Sequence, residues 1–314
     1  MSLIILTKSP ISSLISLENS KLITKRLFNR VRGPGAVVAS FLRGLNELNI
    51  SYLFNPSEKG IKNSDVVWVN ESIDALSWAI KNKQQKKIKA LYTGPNLVIA
   101  PPDAGGIIGS KEIDKLFFPS QWTKDFYGSF DGEFFKKIEI CPAGVSIPKR
   151  EITGDRNLVI IYNKKCSNTD LVKFIKSKLT RLQINFVEII YGHFSQQNYF
   201  KLLNKSKAMI YLSDSESQGI ALQEAWVRDV PTLVWNRGYM TYNNYRWYDE
   251  KMGAPYLVPT VGNFFQGKDD FEKSFLSFLE KLNFFMPNVY VLGNLTDVIC
   301  TKKILKIINT NNYE

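Results

Sequence analysis

The feature that most constrains this chain is a rhythm that runs twice. Short apolar runs alternate with longer stretches whose apolar residues recur at helical spacing. Residues 3–6 read LIIL and suit a buried strand. A later stretch places Val37, Val38, Phe41, Leu42 and Leu45 on one helical face. Further strand candidates lie at 50–54, 66–69, 88–92 and 116–118, with a helix over 72–81 between them. Ser120 is a good N-cap for another helix. The rhythm breaks at residues 147–157, IPKREITGDRN, which carry Pro, Gly and charge but little to bury. It then resumes with strands at 158–162, 186–191, 208–212 and 231–235. Helices at 170–179, 197–203 and 220–228 separate them. Two helices near 270–282 and 296–308 close the chain, with Thr296 an N-cap and Asp297 in the first turn of the last. Such alternation builds parallel strands joined by crossover helices. The expectation is therefore an α/β chain of two doubly wound domains with a cleft between them. The boundaries expected are 1–149, 150–295 and a final segment 296–314 that can pack back on the N-terminal domain. Ligands on such sheets bind at the carboxyl ends of the strands.

The chain's 314 residues are too many for one core and enough for two. Its net charge of +12 favours anionic partners such as phosphates, nucleic acid or an acidic membrane surface, although lysine-rich composition alone also produces such an excess. Cys141, Cys166 and Cys300 are odd in number and widely spaced, which suits a reducing, cytoplasmic compartment and argues against a disulfide framework or a structural zinc site. No apolar run approaches the ~18 residues of a spanning helix, so membrane contact would be peripheral.

The chemistry concentrates in Met209 to Asn236, MIYLSDSESQGIALQEAWVRDVPTLVWN. This reads as strand, polar loop, Gly219, helix, turn and strand. A helix start offers free backbone N–H groups and partial positive charge, which suits phosphate or sugar hydroxyls. Ile220 and Glu224 share a helix face, so Glu224 can turn toward whatever the loop holds, and a carboxylate there can accept from vicinal hydroxyls such as those of a ribose. Two glutamates at such spacing are more often solvated surface than a site.

The whole segment resembles the signature of retaining GT-B glycosyltransferases, the glycogen-synthase-like superfamily also called glycosyl transferases group 1. The matching positions are Ser213, Glu216, Gly219, Glu224, Ala225, Val230 and Pro231. FFPSQWTKDFY (117–127), CPAGVSIP (141–148), YTGPNLVIAPPD (92–103) and RGPGAVV (32–38) agree in order with other parts of that family. The resemblance implies a GT-B fold, two Rossmann-like domains facing each other across a cleft. It implies a hexosyl- or pentosyltransferase that takes a nucleotide-diphosphate-sugar donor and a glycan or lipid-linked acceptor, with no cofactor. By the same resemblance Glu216 contacts the donor sugar near the reacting carbon, and Glu224 binds the ribose. The N–H groups of Ser217, Gln218, Gly219 and Ile220 hold sugar hydroxyls or the pyrophosphate. Lys164 and Lys165 stand where the family keeps cations for the diphosphate, and Gly33 and Gly35 let the backbone approach the same phosphates. Asn96 and Asp103 are the acceptor-side candidates. The chain departs from the pattern at Gln218, where the family has a bulky apolar residue, and at YNKKCSN, which compresses the usual basic pair. Its only histidine is His193, in the second half of the chain.

The resemblance implies transfer with retention, and no metal is expected because cations and backbone N–H groups can stabilise the leaving diphosphate. An inverting enzyme would need a general base, for which Asp103 and Glu71 are candidates. Asp214-Ser215-Glu216 is a loose match to a metal-binding Asp-x-Asp motif. Two other readings compete: a catalytically silent module that binds sugar nucleotide, and a basic protein that binds nucleic acid or another anionic polymer. No nucleic-acid signature appears, and nucleic acid is not an expected partner. GGIIGSK (105–111) lacks the order of a phosphate-loop NTPase.

Overall fold

The computed structural model describes residues 2–10, 17–18, 34–95, 97–148 and 155–310. The chain forms two compact units, one of residues 1–144 with 297–314 and one of residues 145–296. Of the break at 147–157, residues 149–154 lie outside the described residues.

The first unit runs β1 (Leu3–Leu6), β2 (Leu17–Glu18), α1 (Pro34–Glu47), β3 (Tyr52–Phe54), β4 (Val66–Val69), α2 (Ile73–Gln84), β5 (Ala90–Thr93), β6 (Lys115–Phe118), α3 (Gln121–Gly128), α4 (Gly132–Lys137) and β7 (Ile138–Ile140). Its sheet has the order β2-β3-β1-β4-β5-β6-β7. The pairings are parallel except that of β2 with β3. Strands buried on both faces read as unbroken apolar runs, and VVWV of β4 is buried at every position.

The second unit runs β8 (Leu158–Lys164), α5 (Thr169–Arg181), β9 (Phe186–Ile190), α6 (Gln196–Asn204), β10 (Ser206–Ser213), α7 (Ile220–Trp226), β11 (Thr232–Trp235), β12 (Tyr239–Tyr242), β13 (Tyr245–Tyr248), β14 (Gly262–Phe265), α8 (Lys268–Glu280) and α9 (Pro287–Asn294). The parallel sheet has the order β14-β11-β10-β8-β9, and β12 with β13 forms a separate antiparallel hairpin. Helix α5 buries Leu171, Val172, Ile175 and Leu179 on one stripe, and the Asn168 side chain caps it by accepting from the Leu171 N–H at 3.0 Å. Phe265, Phe271, Phe275 and Phe278 fill the core under α8.

The last helix, α10 (Asp297–Thr310), belongs to the first unit and packs along α1. Phe41, Leu42 and Leu45 of α1 share a core with Ile304 and Ile308 of α10 and with Trp68, Tyr92 and Phe117 of the sheet. The Phe41 ring meets Trp68 edge-on at 4.5 Å. Beside this seam the Arg43 guanidinium donates to both oxygens of Asp297, at 2.5 and 2.8 Å. Asp297 is 2% exposed, so the fork of Arg43 supplies what water cannot. Glu47, one turn on, has its carboxyl pushed up by burial and by the nearby Asp297 charge, with Arg43 opposing.

Strand β7, strand β14, the β12–β13 hairpin and helix α9 add to the elements expected from the sequence. The first two are short and at sheet edges, and the hairpin and α9 expose much of their apolar surface, so periodicity carries little signal there. Among the described residues no helix is long and apolar enough to cross a membrane.

The α1–α10 seam depends on Gly44. A Cβ at that position would lie 2.0 Å from Thr301 Oγ1 and 2.5 Å from the Asp297 carbonyl oxygen. Backbone cannot retreat as a flexible side chain can. Gly44→Ala is therefore expected to destabilise the chain by about 1–3 kcal/mol in urea denaturation. Gly35→Ala on the same helix, where nothing lies within 4 Å, should change stability by much less.

Candidate functional site

In the second sheet β8 connects to β9 on one side, and the chain then returns to place β10 on the other side. The order of strands reverses between β8 and β10. An open α/β sheet leaves a crevice at the carboxyl ends of such strands, because the loops diverge there. Those ends are Lys164 and Ser213, which stand in register.

The loop after β10 folds back over this point. Ser213 Oγ donates to the Ser215 carbonyl at 2.7 Å. Asp214 Oδ1 accepts from the Ser167 N–H at 2.9 Å, and its Oδ2 lies 3.5 Å from Arg237 Nη1. The Glu216 N–H donates to the Met252 carbonyl at 2.8 Å, and Gly219 turns the chain into α7 at φ 78. That left-handed backbone suits glycine, and an added Cβ would also come within 3.1 Å of Leu222 Cδ1.

Glu216 is 3% exposed. Its Oε2 accepts from Lys164 Nζ at 2.6 Å and from the Tyr211 hydroxyl at 2.5 Å, and its Oε1 accepts from the Gln218 N–H at 3.2 Å. Burial by itself would push this carboxyl up. The Lys164 charge, the hydrogen bonds from Lys164 and Tyr211 and the Gly219 backbone outweigh it and hold the group below the ordinary carboxylate range. Tyr211 responds in the opposite direction: burial and then the Glu216 charge push its phenol far up, so it stays a donor. Tyr211 stacks on Tyr162 of β8 with ring centroids 5.2 Å apart. Burial raises the Tyr162 phenol as well, followed by the charges of Glu224 and then Glu216. Both glutamates therefore act on the same ring.

Glu224 lies on α7, half-buried, and its Oε1 accepts from Gln196 Nε2 at 2.6 Å. Gln218 is buried and its carbonyl faces Gln223 Nε2 at 3.4 Å, whereas Ser217 and Ile220 are half-buried. Lys165 follows Lys164 at a left-handed φ of 54 and is exposed. Cys166, next in line, has its thiol pushed up to about 11, chiefly by burial, which leaves it unreactive.

The structure thus gathers Lys164, Glu216, Gln218, Gly219 and Glu224 around the ends of β8 and β10. Gly35, Asp103 and Glu71 belong to the first unit. Gly35 stands in the first turn of α1 with open space around it. Gly33 and Asn96 lie outside the described residues. Asp103 Oδ2 accepts from the N–H groups of Ile99 and Ala100, at 3.0 and 2.9 Å, and so closes its own turn. Glu71 is exposed at a left-handed φ of 63, yet enough protein surrounds it that desolvation raises its carboxyl. His193 is exposed.

Sequence reasoning missed Tyr211, Tyr162, Gln196, Arg237 and the Met252 carbonyl. Tyr211 carried a usable signal, since a tyrosine inside a buried strand needs a partner for its hydroxyl. Gln196 and Met252 carried none, because tertiary folding alone brings them to the loop.

No protein-family model matches the chain, and no curated protein matches its sequence. Solved structures do match its fold. The lipopolysaccharide outer core galactosyltransferase WaaB, in its apo form, aligns over 99% of this chain and 100% of its own at 12% identity, with a TM-score of 0.55. TarM from S. aureus, a variant solved with fondaparinux, alpha-GlcNAc-glycerol and UDP, aligns over 80% of this chain and 57% of its own at 15% identity and a TM-score of 0.51. A Listeria monocytogenes protein described as a UDP-N-acetylglucosamine 2-epimerase aligns over 99% and 96% at 12% identity, with a TM-score of 0.55. The chain has the GT-B fold, two Rossmann-like α/β units in one polypeptide.

The Lys164–Glu216 contact sets a test. A carboxyl held below its unfolded value stabilises the protein above about pH 4.5, and that contribution fades as pH falls through the folded value. Lys164→Met leaves the Glu216 charge buried without its cation. The expected loss near neutral pH is about 2 kcal/mol, less than for a fully enclosed pair because Lys164 is 31% exposed. In denaturation series at stepped pH the gap between variant and parent should narrow as the buffer is acidified below pH ~4.5.

Proposed function

We propose that the chain transfers a sugar from a nucleotide-diphosphate-sugar donor to a glycan or lipid-linked acceptor, with retention and without a metal ion. The observation that carries this reading is the ionised, buried carboxylate of Glu216 at the strand reversal of the second sheet, held there by Lys164 and Tyr211. Structures of this fold include one described as a galactosyltransferase and one described as a UDP-N-acetylglucosamine 2-epimerase, so the fold alone does not choose the reaction. The choice of glycosyl transfer rests on the chemistry of this site.

In that reaction the bond from the sugar's anomeric carbon to the diphosphate breaks. A bond from the acceptor oxygen to that carbon forms, and the acceptor's proton leaves toward the departing diphosphate. Positive charge develops on the sugar ring and negative charge on the leaving group. Glu216 stands as the fixed anion near the sugar, and Lys164 and Lys165 as cations for the diphosphate. Glu224 accepts from ribose hydroxyls. In this reading the glycine-turned loop of Ser217 to Ile220 frames the sugar. The Gln218 N–H already donates to Glu216, so that amide orients the carboxylate and reaches a ligand through it.

Metal independence is supported by what Asp214 and Glu216 already hold. Asp214 faces Arg237 and the Ser167 N–H, and Glu216 faces Lys164, so each carboxylate has a cation beside it. Among the described residues the three cysteines are free and buried, which fits action in a reducing, cytoplasmic compartment. Contact with an anionic membrane surface would be peripheral, through the excess of basic charge.

A thermal-shift screen against UDP-, GDP- and ADP-sugars tests donor binding. A ligand at 100 times its dissociation constant should stabilise its unit by about 2.7 kcal/mol. With the donor identified, Glu216→Ala should lower kcat on the order of a hundredfold with little change in donor affinity. Glu224→Ala should weaken donor binding about tenfold. Activity should survive EDTA. Tight donor binding without turnover of any acceptor would mark a silent binding module. A salt-sensitive oligonucleotide shift without donor binding would mark a polyanion binder.

A further inference from the structure

The hairpin of β12 and β13 is not explained by the donor chemistry. Its ten residues, Tyr239 to Tyr248, include five aromatics, an unusual content for a two-stranded ribbon outside the main sheet. An isolated hairpin of this length is marginal in water, so it needs anchors. Asn236 supplies one set at its root. Its Nδ2 donates to the Glu250 carbonyl at 2.5 Å, and its Oδ1 accepts from the N–H groups of Gly238 and Gly253, each at 3.2 Å. Two further anchors lead to the catalytic loop proposed above. Arg237 reaches Asp214, and the Met252 carbonyl on the returning segment accepts from the Glu216 N–H at 2.8 Å. Whatever touches the hairpin is therefore connected to the Glu216 loop through both of its ends.

Register divides the hairpin into two faces. Tyr239 pairs with Tyr248 and Thr241 with Arg246, and these alternate with Met240–Trp247 and Tyr242–Tyr245. On the first face the guanidinium of Arg237 lies 3.9 Å from the centroid of Tyr239 and donates to its hydroxyl at 2.7 Å. Arg246 lies 4.9 Å from the same ring. Tyr239 is thus used up as a base for two cations. Tyr248, 5.7 Å from Tyr239, is 65% exposed, and Thr241 and Arg246 beside it are exposed. Arg246 has no carboxylate within salt-bridge distance among the described residues, so its fork of donors is available to an anion.

We propose that this face binds a saccharide that carries an anionic substituent, a phosphate or a carboxylate, as the acceptor of the proposed transfer. The apolar C–H face of the sugar ring stacks on Tyr248, the anion takes the fork of Arg246, and the Thr241 hydroxyl serves a ring hydroxyl. The choice of acceptor class rests on the glycosyl-transfer reading. The charge of the face selects the ligand: a neutral saccharide would leave Arg246 unused, and a bare anion would leave Tyr248 unused.

Binding to the full-length chain can be followed by ligand-observed NMR, with no turnover required. The probes are hexose 6-phosphates and hexuronic acids, their neutral methyl hexosides, inorganic phosphate, UDP, and phosphatidylcholine vesicles with and without phosphatidylglycerol. The anionic sugars should bind about tenfold more tightly than the neutral hexosides. Arg246→Gln should abolish that preference, and Tyr248→Ala should weaken both sugar classes. UDP affinity should be unchanged in both variants, since a nucleotide-derived anion would occupy the Glu216 loop instead. Both side chains are exposed, so neither change should unfold the protein. The proposal is overturned if no sugar in the panel binds, if inorganic phosphate matches the anionic sugars, or if the two variants bind like the parent. It is equally overturned if the variants lose only attachment to phosphatidylglycerol vesicles, which would make the hairpin a membrane contact. Failure of the parent to bind UDP would count against the donor reading alone, and the sugar arm would still decide the hairpin.

Discussion

A carboxylate with almost no access to water must be compensated by protein, and Glu216 is such a group. Lys164 at the end of β8 and Tyr211 within β10 do this together, and both reach the same oxygen. That is possible only because β8 and β10 are hydrogen-bonded neighbours with Lys164 and Ser213 in register. The strand order of the second sheet is thus a precondition of the charge. The backbone is fixed with equal care: Met252 accepts from Glu216, and Gly219 makes the left-handed turn that lets α7 begin directly after it. Tyr162, stacked beside Tyr211, feels the charges of both Glu224 and Glu216, which with burial keep its phenol protonated.

The first unit solves a different problem. The chain leaves it after Gly144 and re-enters at Asp297. The re-entry is secured by the forked contact of Arg43 with Asp297, 254 residues apart in sequence, and by the absence of a side chain at Gly44. A helix crossing this close needs glycine on one side, because a methyl group there would lie 2.0 Å from Thr301 Oγ1. The aromatic set of Phe41, Trp68, Tyr92 and Phe117 then packs the sheet beneath the helix pair.

The hairpin sits between these kinds of structure. It has little core of its own, and its root is organised by one asparagine side chain. Arg237 just before it and Met252 just after it contact the loop of Asp214 to Glu216, so the hairpin's two ends are tied to that loop. Cationic and aromatic groups share one of its faces because antiparallel register brings every second residue to the same side.

The apolar runs LVIIY and AMIYL and the striped helix after Asn168 determined local structure, since burial on both sides of a parallel sheet demands such runs and burial on one side of a helix demands such stripes. The loop of Ser213 to Gly219 was legible for a related reason, because a polar stretch ending in glycine between a buried strand and a helix has few other uses. Order of strands was not legible, and with it went the partners of Glu216. Nothing in the sequence near Glu216 names Lys164, 52 residues away, or the carbonyl of Met252. Those contacts come from which strand pairs with which, and strand pairing is decided by the packing of the whole unit. The charge of Arg246 and the rings of the hairpin were plain in the sequence, but only the antiparallel register put Thr241, Arg246 and Tyr248 on one face.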